Sequence, residues 1–228
     1  GLITMGGAIR RFDNFAMKSW LETRTGLPVS VENDANCVLL AERWQGKAAE
    51  MANFLVLTIR TGIGGAIFCQ HQLINGARFR AGEFGYMLTD RPGGRDPRRY
   101  SMNENCTLRV LRHRYAQHIG APLDSVTGEL IFDRYDAGDP VCQRLVAEFF
   151  NGLGHGLYNL VHIFDPQTIF IGGGVVERPG FLTLLRQHLA WFGIADYLDT
   201  VSHGNDAGLI GAVYHFNQLY RSPDDDRH

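Results

Sequence analysis

The sequence has few cysteines, no long apolar run and no excess of charge of one sign. Its four cysteines, Cys37, Cys69, Cys106 and Cys142, are far apart and form no C-x-x-C pair, which argues against a zinc ribbon or a short disulfide framework. Reduced thiols in a cytoplasmic protein are the simplest interpretation. The apolar stretches are only a few residues long, well short of the ~20 residues that a membrane-spanning helix requires. We therefore expect no membrane partner.

The charged residues nearly balance. With 22 Lys and Arg against 24 Asp and Glu, the formal net charge of -2 gives no general attraction to nucleic acid or to an anionic membrane surface. The Walker pattern G-x-x-x-x-G-K-[ST] is also missing, which excludes a P-loop enzyme. The 228 residues, 45% hydrophobic and 20% charged, describe an ordinary globular protein with one large core or two modest ones.

Strand-like and helix-like segments alternate along the chain. The periodicity predicts a helix over 12–25, a strand from Val29 to Val31, a helix from Asp34 to Trp44 and a buried strand over 53–59. This order indicates an α/β sheet, and a further strand over 66–69 would form a hairpin with the preceding one. The later segments predict a strand over 169–171 and helices over 104–118, 127–135, 140–164, 179–192 and 207–219.

The stretch PVSVENDAN, from Pro28 to Asn36, places an amide and a carboxylate where the predicted strand passes into the predicted helix. In an α/β sheet, side chains at such a junction project into the crevice where ligands usually bind. Asn33 and Asp34 are therefore candidate site residues. The alternative is that one of them only caps the helix, which stabilises it by roughly 1 kcal/mol.

Two glycine-rich turns come directly after buried strands. Thr61, Gly62, Gly64 and Gly65 form a TGxGG loop, in which glycines allow close approach and a threonine hydroxyl adds a donor, as phosphate binding requires. The run from Gly172 to Gly174 lies between a strand and a helix and could admit the adenosine of a nucleotide. Each also has a simpler interpretation, a tight hairpin without a ligand for the first and an ordinary strand-to-helix turn for the second.

Glu83, between Gly82 and Gly85, is the fourth candidate element. It could accept hydrogen bonds from ligand hydroxyls, or it could simply be solvated. In chain order, a carboxylate base, a phosphate loop, a polyol-binding Glu and a nucleotide turn match the parts that phosphoryl transfer needs. The remaining alternative is an α/β scaffold whose glycines are only turns.

These residues, in this order, resemble the ROK family of sugar kinases and sugar-responsive repressors. The matching segments are LPVSVENDANC, LTIRTGIGGAIF, INGARFRAGEFGYML and DPQTIFIGGGV. The resemblance implies the actin-like, ribonuclease H-like ATPase fold of a two-domain sugar kinase, incomplete at the amino terminus. Residues 1–35 would be the remainder of a small domain and residues 36–228 the large domain, with the closing helices returning to the small one.

The resemblance also implies the site and its ligands. Asp34 would take the proton from the 6-hydroxyl of a sugar, Asn33 and Glu83 would bind the sugar, and Glu104 could add a carboxylate near it. ATP, with magnesium, would be the phosphoryl donor and the family favours a homodimer. The remaining implied contacts are those of the ATP phosphates with Thr61, Gly62 and Gly64, and of adenosine with Gly172, Gly173 and Gly174.

The chain departs from the family's GExGH element, because Tyr86 stands in place of the histidine. The cysteine-rich zinc signature that normally comes after it is reduced to Cys106, so we expect no zinc. Within the family, this zinc-less form is similar to β-glucoside kinases, which phosphorylate cellobiose-type disaccharides at the 6-position of the non-reducing glucose. Cellobiose or a related β-glucoside is therefore the expected substrate.

Two further departures bear on activity. Arg60 stands where the phosphate loop usually has glycine, and a positive φ there would disfavour arginine by roughly 1 kcal/mol or more. The family's first phosphate loop, of DxGGT type, has no counterpart, and the start from Gly1 to Met5 reads like the middle of an element. We expect a missing amino-terminal piece and no turnover from a chain limited to these residues.

Two alternatives concern partners. The chain could be the sugar-sensing domain of a ROK repressor, because repressors can keep the same sugar contacts. No stretch of the sequence reads as a helix-turn-helix, but the expected missing amino-terminal piece could contain one. The loop with Arg91, Arg95, Arg98 and Arg99 is either a solvated basic surface or a contact for a second sugar ring.

Overall fold

A computed structural model describes residues 1–4, 9–91, 93–94 and 96–220, with the backbone alone of Arg10. The strands are β1 (Phe54–Ile59), β2 (Ile63–Cys69), β3 (Gln72–Leu73), β4 (Thr168–Gly172) and β5 (Leu198–Thr200). The helices are α1 (Met17–Thr25), α2 (Asp34–Gln45), α3 (Met102–Asn105), α4 (Leu108–Ile119), α5 (Gly128–Asp136), α6 (Pro140–Phe164), α7 (Phe181–Leu189) and α8 (Ala207–Tyr220). Short 3-10 turns are Arg10–Phe12, Phe84–Tyr86, Pro97–Tyr100, Leu123–Ser125, Gly174–Glu177, Ala190–Phe192, Ala195–Tyr197 and Gly204–Asp206.

The strands form one mixed sheet in the order β3-β2-β1-β4-β5. β1 and β2 form the predicted antiparallel hairpin, in which Ile59 pairs with Ile63. β4 runs parallel to β1 with Thr58 beside Gly172, and β5 runs parallel to β4. Because β1 and β4 are parallel, their carboxyl ends lie at the same edge of the sheet. This edge brings the hairpin turn and the run from Gly172 to Gly174 together.

Alternate residues of β1 divide the core between the two faces of the sheet. Leu55, Leu57 and Ile59 belong to a large buried cluster with the inner side of α6, whereas Phe54 and Val56 belong to a smaller one with α2. A strand buried on both faces accounts for its continuous apolar sequence. No helix among the described residues is both long and apolar enough to cross a bilayer.

α8 lies against α2. A Cβ on Gly211 would fall 1.6 Å from the carbonyl oxygen of Cys37, so the two helix backbones are in direct contact at this point. At its far end, the Tyr220 hydroxyl donates to the carbonyl oxygen of Val29 at 3.1 Å and accepts from Lys18 Nζ at 2.8 Å. α8 therefore links α1, the segment before α2 and α2 itself.

The predicted strand from Val29 to Val31 is wrong. This segment belongs to no strand: the Val29 amide donates to Glu22 Oε1, and the Val29 carbonyl accepts from the Tyr220 hydroxyl. An alternating apolar pattern is compatible with a strand, but a strand forms only where a neighbouring strand is available for pairing. The first helix begins at Met17 instead of residue 12, because Asn14 has a left-handed φ of 59°.

Other boundaries also differ from the predictions. The helix expected over 104–118 is divided into α3 and α4, because the Thr107 hydroxyl caps α4 by accepting from the Val110 amide. The helix expected over 179–192 is α7, which continues into the 3-10 turn Ala190–Phe192. β3 and β5, of two and three residues, were not predicted.

Candidate functional site

The first turn of α2 holds the candidate base and its cap. Asn33 Oδ1 accepts from the amides of Ala35 at 2.8 Å and Asn36 at 3.2 Å, so Asn33 is the N-cap. Asp34 is the first helical residue and is exposed, and its Oδ1 accepts from the Ala35 amide at 2.9 Å. The cap interpretation is confirmed for Asn33, which leaves the exposed Asp34 carboxylate available to accept a proton.

Glu32 accepts hydrogen bonds from the first turn of α2, a role that was not predicted from the sequence. Its Oε1 accepts from the Asn33 amide at 2.7 Å and from Asn36 Nδ2 at 2.8 Å. Its Oε2 lies 3.8 Å from Nδ1 of His215, on α8. Glu32 therefore fixes the Asn33–Asp34 backbone relative to both α2 and α8. Glu32 is part of the ENDAN motif, but its partner on α8 has no local sequence signal.

The hairpin turn (residues 60–65) lies against α2. A Cβ on Gly64 would be 2.7 Å from Thr58 Oγ1 and 3.5 Å from Ala35 Cβ, so the start of β2 approaches the first turn of α2. Thr61 and Gly62 are exposed at the tip. Arg60 does not adopt a positive φ, so the backbone strain considered for this position is absent. Its amide donates to the Gly62 carbonyl at 2.9 Å.

Glu83 is brought to the same place by glycine packing. A Cβ on Gly82, which has φ +84°, would lie 2.4 Å from the carbonyl oxygen of Gly65. Burial raises the pKa of Glu83; the positive charge of Arg80 opposes this effect, and the negative charge of Asp34 adds to it. Glu83 is half-buried, which argues against the simply solvated alternative.

The GGG turn (Gly172–Gly174) follows β4, the strand on the other side of β1 from β2, and so lies next to the end of β1. Gly172 ends β4 and is buried, and a Cβ on Gly173 would lie 2.1 Å from the Ile59 carbonyl oxygen. A Cβ on Gly174 would meet nothing within 4 Å, so this residue presents bare, exposed backbone. Gly173 leads into a 3-10 turn, and the next α-helix begins only at Phe181.

Glu104 is exposed and forms an ion pair with Arg109 at 3.1 Å. Its neighbour Asn103 is the residue that contacts the hairpin turn. Asn103 Oδ1 accepts from the Ile63 amide at 2.8 Å and lies 3.2 Å from the position of a Cβ on Gly62. Glu104 thus has the weaker connection to the site, and Asn103 was not predicted.

Two cavities open near these segments. One, of about 540 Å³, is lined by Glu83, Tyr86, Arg78 and Arg80, among others. The second, of about 750 Å³, is lined by Arg91 with residues of α6 and by Trp191 and Phe192. The described part of the chain contains no group of three His, Cys, Asp or Glu side chains that could hold a metal ion, and its four cysteines are free.

Comparison with known proteins gives a consistent result. The sequence model of the ROK family matches residues 2–218 of this chain. A β-glucoside kinase from Listeria innocua is 59% identical over 219 residues, which cover 96% of this chain and 74% of that protein.

Solved structures agree in fold. A protein from Listeria monocytogenes proposed to be an N-acetylmannosamine kinase is 58% identical, with a TM-score of 0.90 over 96% of this chain and 76% of that one. A ROK glucokinase from Streptomyces griseus, in complex with glucose and AMPPNP, is 25% identical, with a TM-score of 0.76 over 89% of this chain and 72% of that one. These neighbours confirm the predicted fold class.

Proposed function

We propose that this chain, which belongs to the ROK family, is a carbohydrate kinase that transfers a phosphoryl group from ATP to the 6-hydroxyl of a β-glucoside such as cellobiose. One observation carries the proposal. The glycine packing at Gly64, Gly82 and Gly173 gathers an exposed carboxylate, a glycine hairpin, a half-buried Glu and an open glycine backbone at one edge of the sheet. Phosphoryl transfer depends mainly on positioning such groups.

In this proposal, Asp34 is the general base. Its exposed carboxylate would accept the proton of the attacking hydroxyl as the bond to phosphorus forms. Asn33 uses its Oδ1 for the helix cap, so its Nδ2 is the group that would donate to a sugar hydroxyl. Glu83 would accept hydrogen bonds from other hydroxyls, and Glu104 would contribute only after leaving its ion pair with Arg109.

The residues present fit a nucleotide. Thr61, Gly62 and Gly64 would contact the phosphates from the hairpin turn, where Thr61 and Gly62 are exposed. The GGG turn would accept adenosine over the open backbone of Gly174. Magnesium would come with ATP and neutralise phosphate charge, and it commonly binds through phosphates and water with few protein ligands.

The choice of sugar rests on similarity. The curated relative at 59% identity is named for β-glucosides, whereas the solved structure at 58% is named for N-acetylmannosamine. The replacement of the family's histidine by Tyr86 supports the β-glucoside. A substrate series of cellobiose, glucose and N-acetylmannosamine, in a coupled assay of ATP consumption, separates these possibilities. In a chain that includes the DxGGT-type phosphate loop implied by the resemblance, we expect saturable turnover with cellobiose as the preferred sugar.

The decisive variant is Asp34→Asn. It keeps the size of the side chain but removes the base, and we expect kcat to fall by about 10²–10⁴-fold while calorimetry still detects sugar binding. Asp133→Asn, an exposed carboxylate on α5, is the matched control and should leave kcat unchanged. Because the resemblance implies a DxGGT phosphate loop, the assay is run in parallel on a chain that carries such a loop before Gly1. Equal rates for Asp34→Asn and the unaltered chain would contradict the proposal.

We further propose the two-domain division implied by the resemblance, residues 1–35 and 36–228. The contacts of Tyr220 with Val29 and Lys18 support a closing helix that returns to the small domain. A homodimer is also proposed from family membership alone. Light scattering at micromolar concentration tests it, and a monomeric mass would contradict it.

A further inference from the structure

The 540 Å³ cavity has Glu83 in its lining but none of the other candidate site residues, such as Asn33, Asp34 or Thr61. Its other polar walls are the side chains of Arg78, Arg80 and Tyr86. Small-molecule sites commonly occupy clefts of about 300–1,000 Å³ with a few convergent polar groups. The cavity is therefore large enough for a sugar ring in addition to whatever Glu83 binds.

The chemistry of this wall suits a neutral polyol. Arginine side chains supply several N–H donors in a fixed geometry, and tyrosine combines an apolar ring face with a hydroxyl. Tyr86 is 47% exposed, so much of its surface remains accessible from the cavity. Tyr86 ends the short 3-10 turn Phe84–Tyr86, and Glu83 directly precedes this turn, so both residues belong to one short segment.

None of the described residues of the arginine loop at 91–99 lines this cavity. Arg98 forms an ion pair with Asp96 at 2.7 Å, Arg91 lines the separate 750 Å³ cavity, and Arg95 lies outside the described residues. The guanidinium groups beside Glu83 come instead from the segment that precedes it. Arg78 and Tyr86 line the same cavity as Glu83 and are available to a ligand that fills it.

We propose that Arg78 and Tyr86 bind the second ring of the substrate and so select a disaccharide over a monosaccharide. The inference rests on the proposed function, in which Glu83 binds the ring that is phosphorylated. Arg80 has a different task, because its positive charge lowers the pKa of the neighbouring Glu83 against the effect of burial.

The test compares kcat/KM for cellobiose and for glucose in Arg78→Ala and Tyr86→Ala. We expect the value for cellobiose to fall by about tenfold or more, since contacts of roughly 1–3 kcal/mol are lost, and the value for glucose to change by less than about twofold. Tyr86→Phe separates the contribution of the aromatic ring from that of the hydroxyl. If the ring face provides the contact, this variant should keep most of the preference in kcat/KM for cellobiose over glucose.

Arg144→Ala is the matched control, since Arg144 is an exposed arginine on α6 that pairs with Glu148. Arg144→Ala should leave kcat/KM unchanged for both sugars. An equal loss for both sugars, or no loss for cellobiose, in the Arg78 and Tyr86 variants would overturn the inference while leaving the kinase intact. No turnover of either sugar by the unaltered chain and the chain with the added phosphate loop would contradict the proposed function, and this inference with it.

Discussion

The two glycine turns at the edge of the sheet resemble each other in sequence but differ in what their glycines contact. In the hairpin turn, a Cβ on Gly64 would meet Thr58, and one on Gly65 would meet the Phe84 ring at 2.1 Å. In the GGG turn, Gly173 is packed against Ile59 in the same way, whereas Gly174 faces open space.

This difference separates glycines that the fold requires from one that is free for a ligand. Gly64, Gly65 and Gly173 are needed because backbone or a buried side chain occupies the place of a Cβ. Gly174 has no such neighbour, and its φ is not positive. Its absence of a side chain is therefore the better evidence for a close-approaching ligand. Four substitutions test the comparison, from the largest expected effect to the smallest.

Gly173→Ala should be the most damaging. The new Cβ would meet the Ile59 carbonyl, and alanine would be strained at φ +109°. We expect a loss of about 3 kcal/mol or more in the free energy of unfolding, equivalent to roughly 6–12 °C in Tm. Thermal unfolding measured by circular dichroism gives this loss. Gly128→Ala, at the start of α5 without close neighbours, is the control and should not lower Tm; an unchanged Tm for Gly173→Ala would contradict the packing.

Gly64→Ala should destabilise by about 1–3 kcal/mol, because the Cβ would crowd the buried Thr58 hydroxyl. The clash is with one side-chain oxygen, so Thr58→Ala should remove part of it. A double-mutant cycle then gives a smaller loss for the pair than the sum of the single losses. Strict additivity would show that Thr58 is not the cause.

Gly174→Ala should leave the free energy of unfolding unchanged within about 0.5 kcal/mol, as expected for an exposed position. If adenosine lies on this backbone, the added methyl group should raise the KM for ATP by about tenfold, equivalent to ~1.4 kcal/mol. Gly208→Ala, which also has no close neighbour, should leave that KM unchanged. An unchanged KM in both variants would remove Gly174 from the nucleotide site.

Arg60→Gly should have the smallest overall effect of the four, because Gly174→Ala is expected to change nucleotide binding. Since Arg60 has no positive φ, glycine relieves no strain and only adds conformational freedom to the unfolded chain. We expect a loss of at most about 1 kcal/mol. A rise in Tm would reveal strain at Arg60, and the turnover of the same variant shows whether the arginine hinders phosphate binding.

Local signals in the sequence were sufficient for the elements with strong boundaries. Asp139 and Pro140 open α6 and Asp165 ends it, as expected from capping chemistry, and β1 was identified by its continuous apolar run. The segment from Val29 to Val31 had the correct alternation but bonds to side chains instead of a strand. Strand formation depends on a neighbour, which periodicity cannot show.

The same limit applies to the site. Asn33 and Asp34 were identified because their position before an apolar helix is a local feature. Asn103 was missed because it contacts Ile63 across 40 residues. The Glu32–His215 pair was missed because it joins the segment before α2 to α8. Contacts between distant elements position the candidate base, and no pattern within either element indicates them.

The contact of α8 with α2 and Val29 has a consequence for the order in which the protein forms during synthesis. Tyr220 and Val29 are 191 residues apart, so α2 and the segment before it leave the ribosome long before α8 exists. Elements that are synthesised earlier can fold first during translation, but this surface has its partner only when α8 emerges. Asp34, the candidate base, is thus synthesised early, but the contacts with α8 that position its segment form only late.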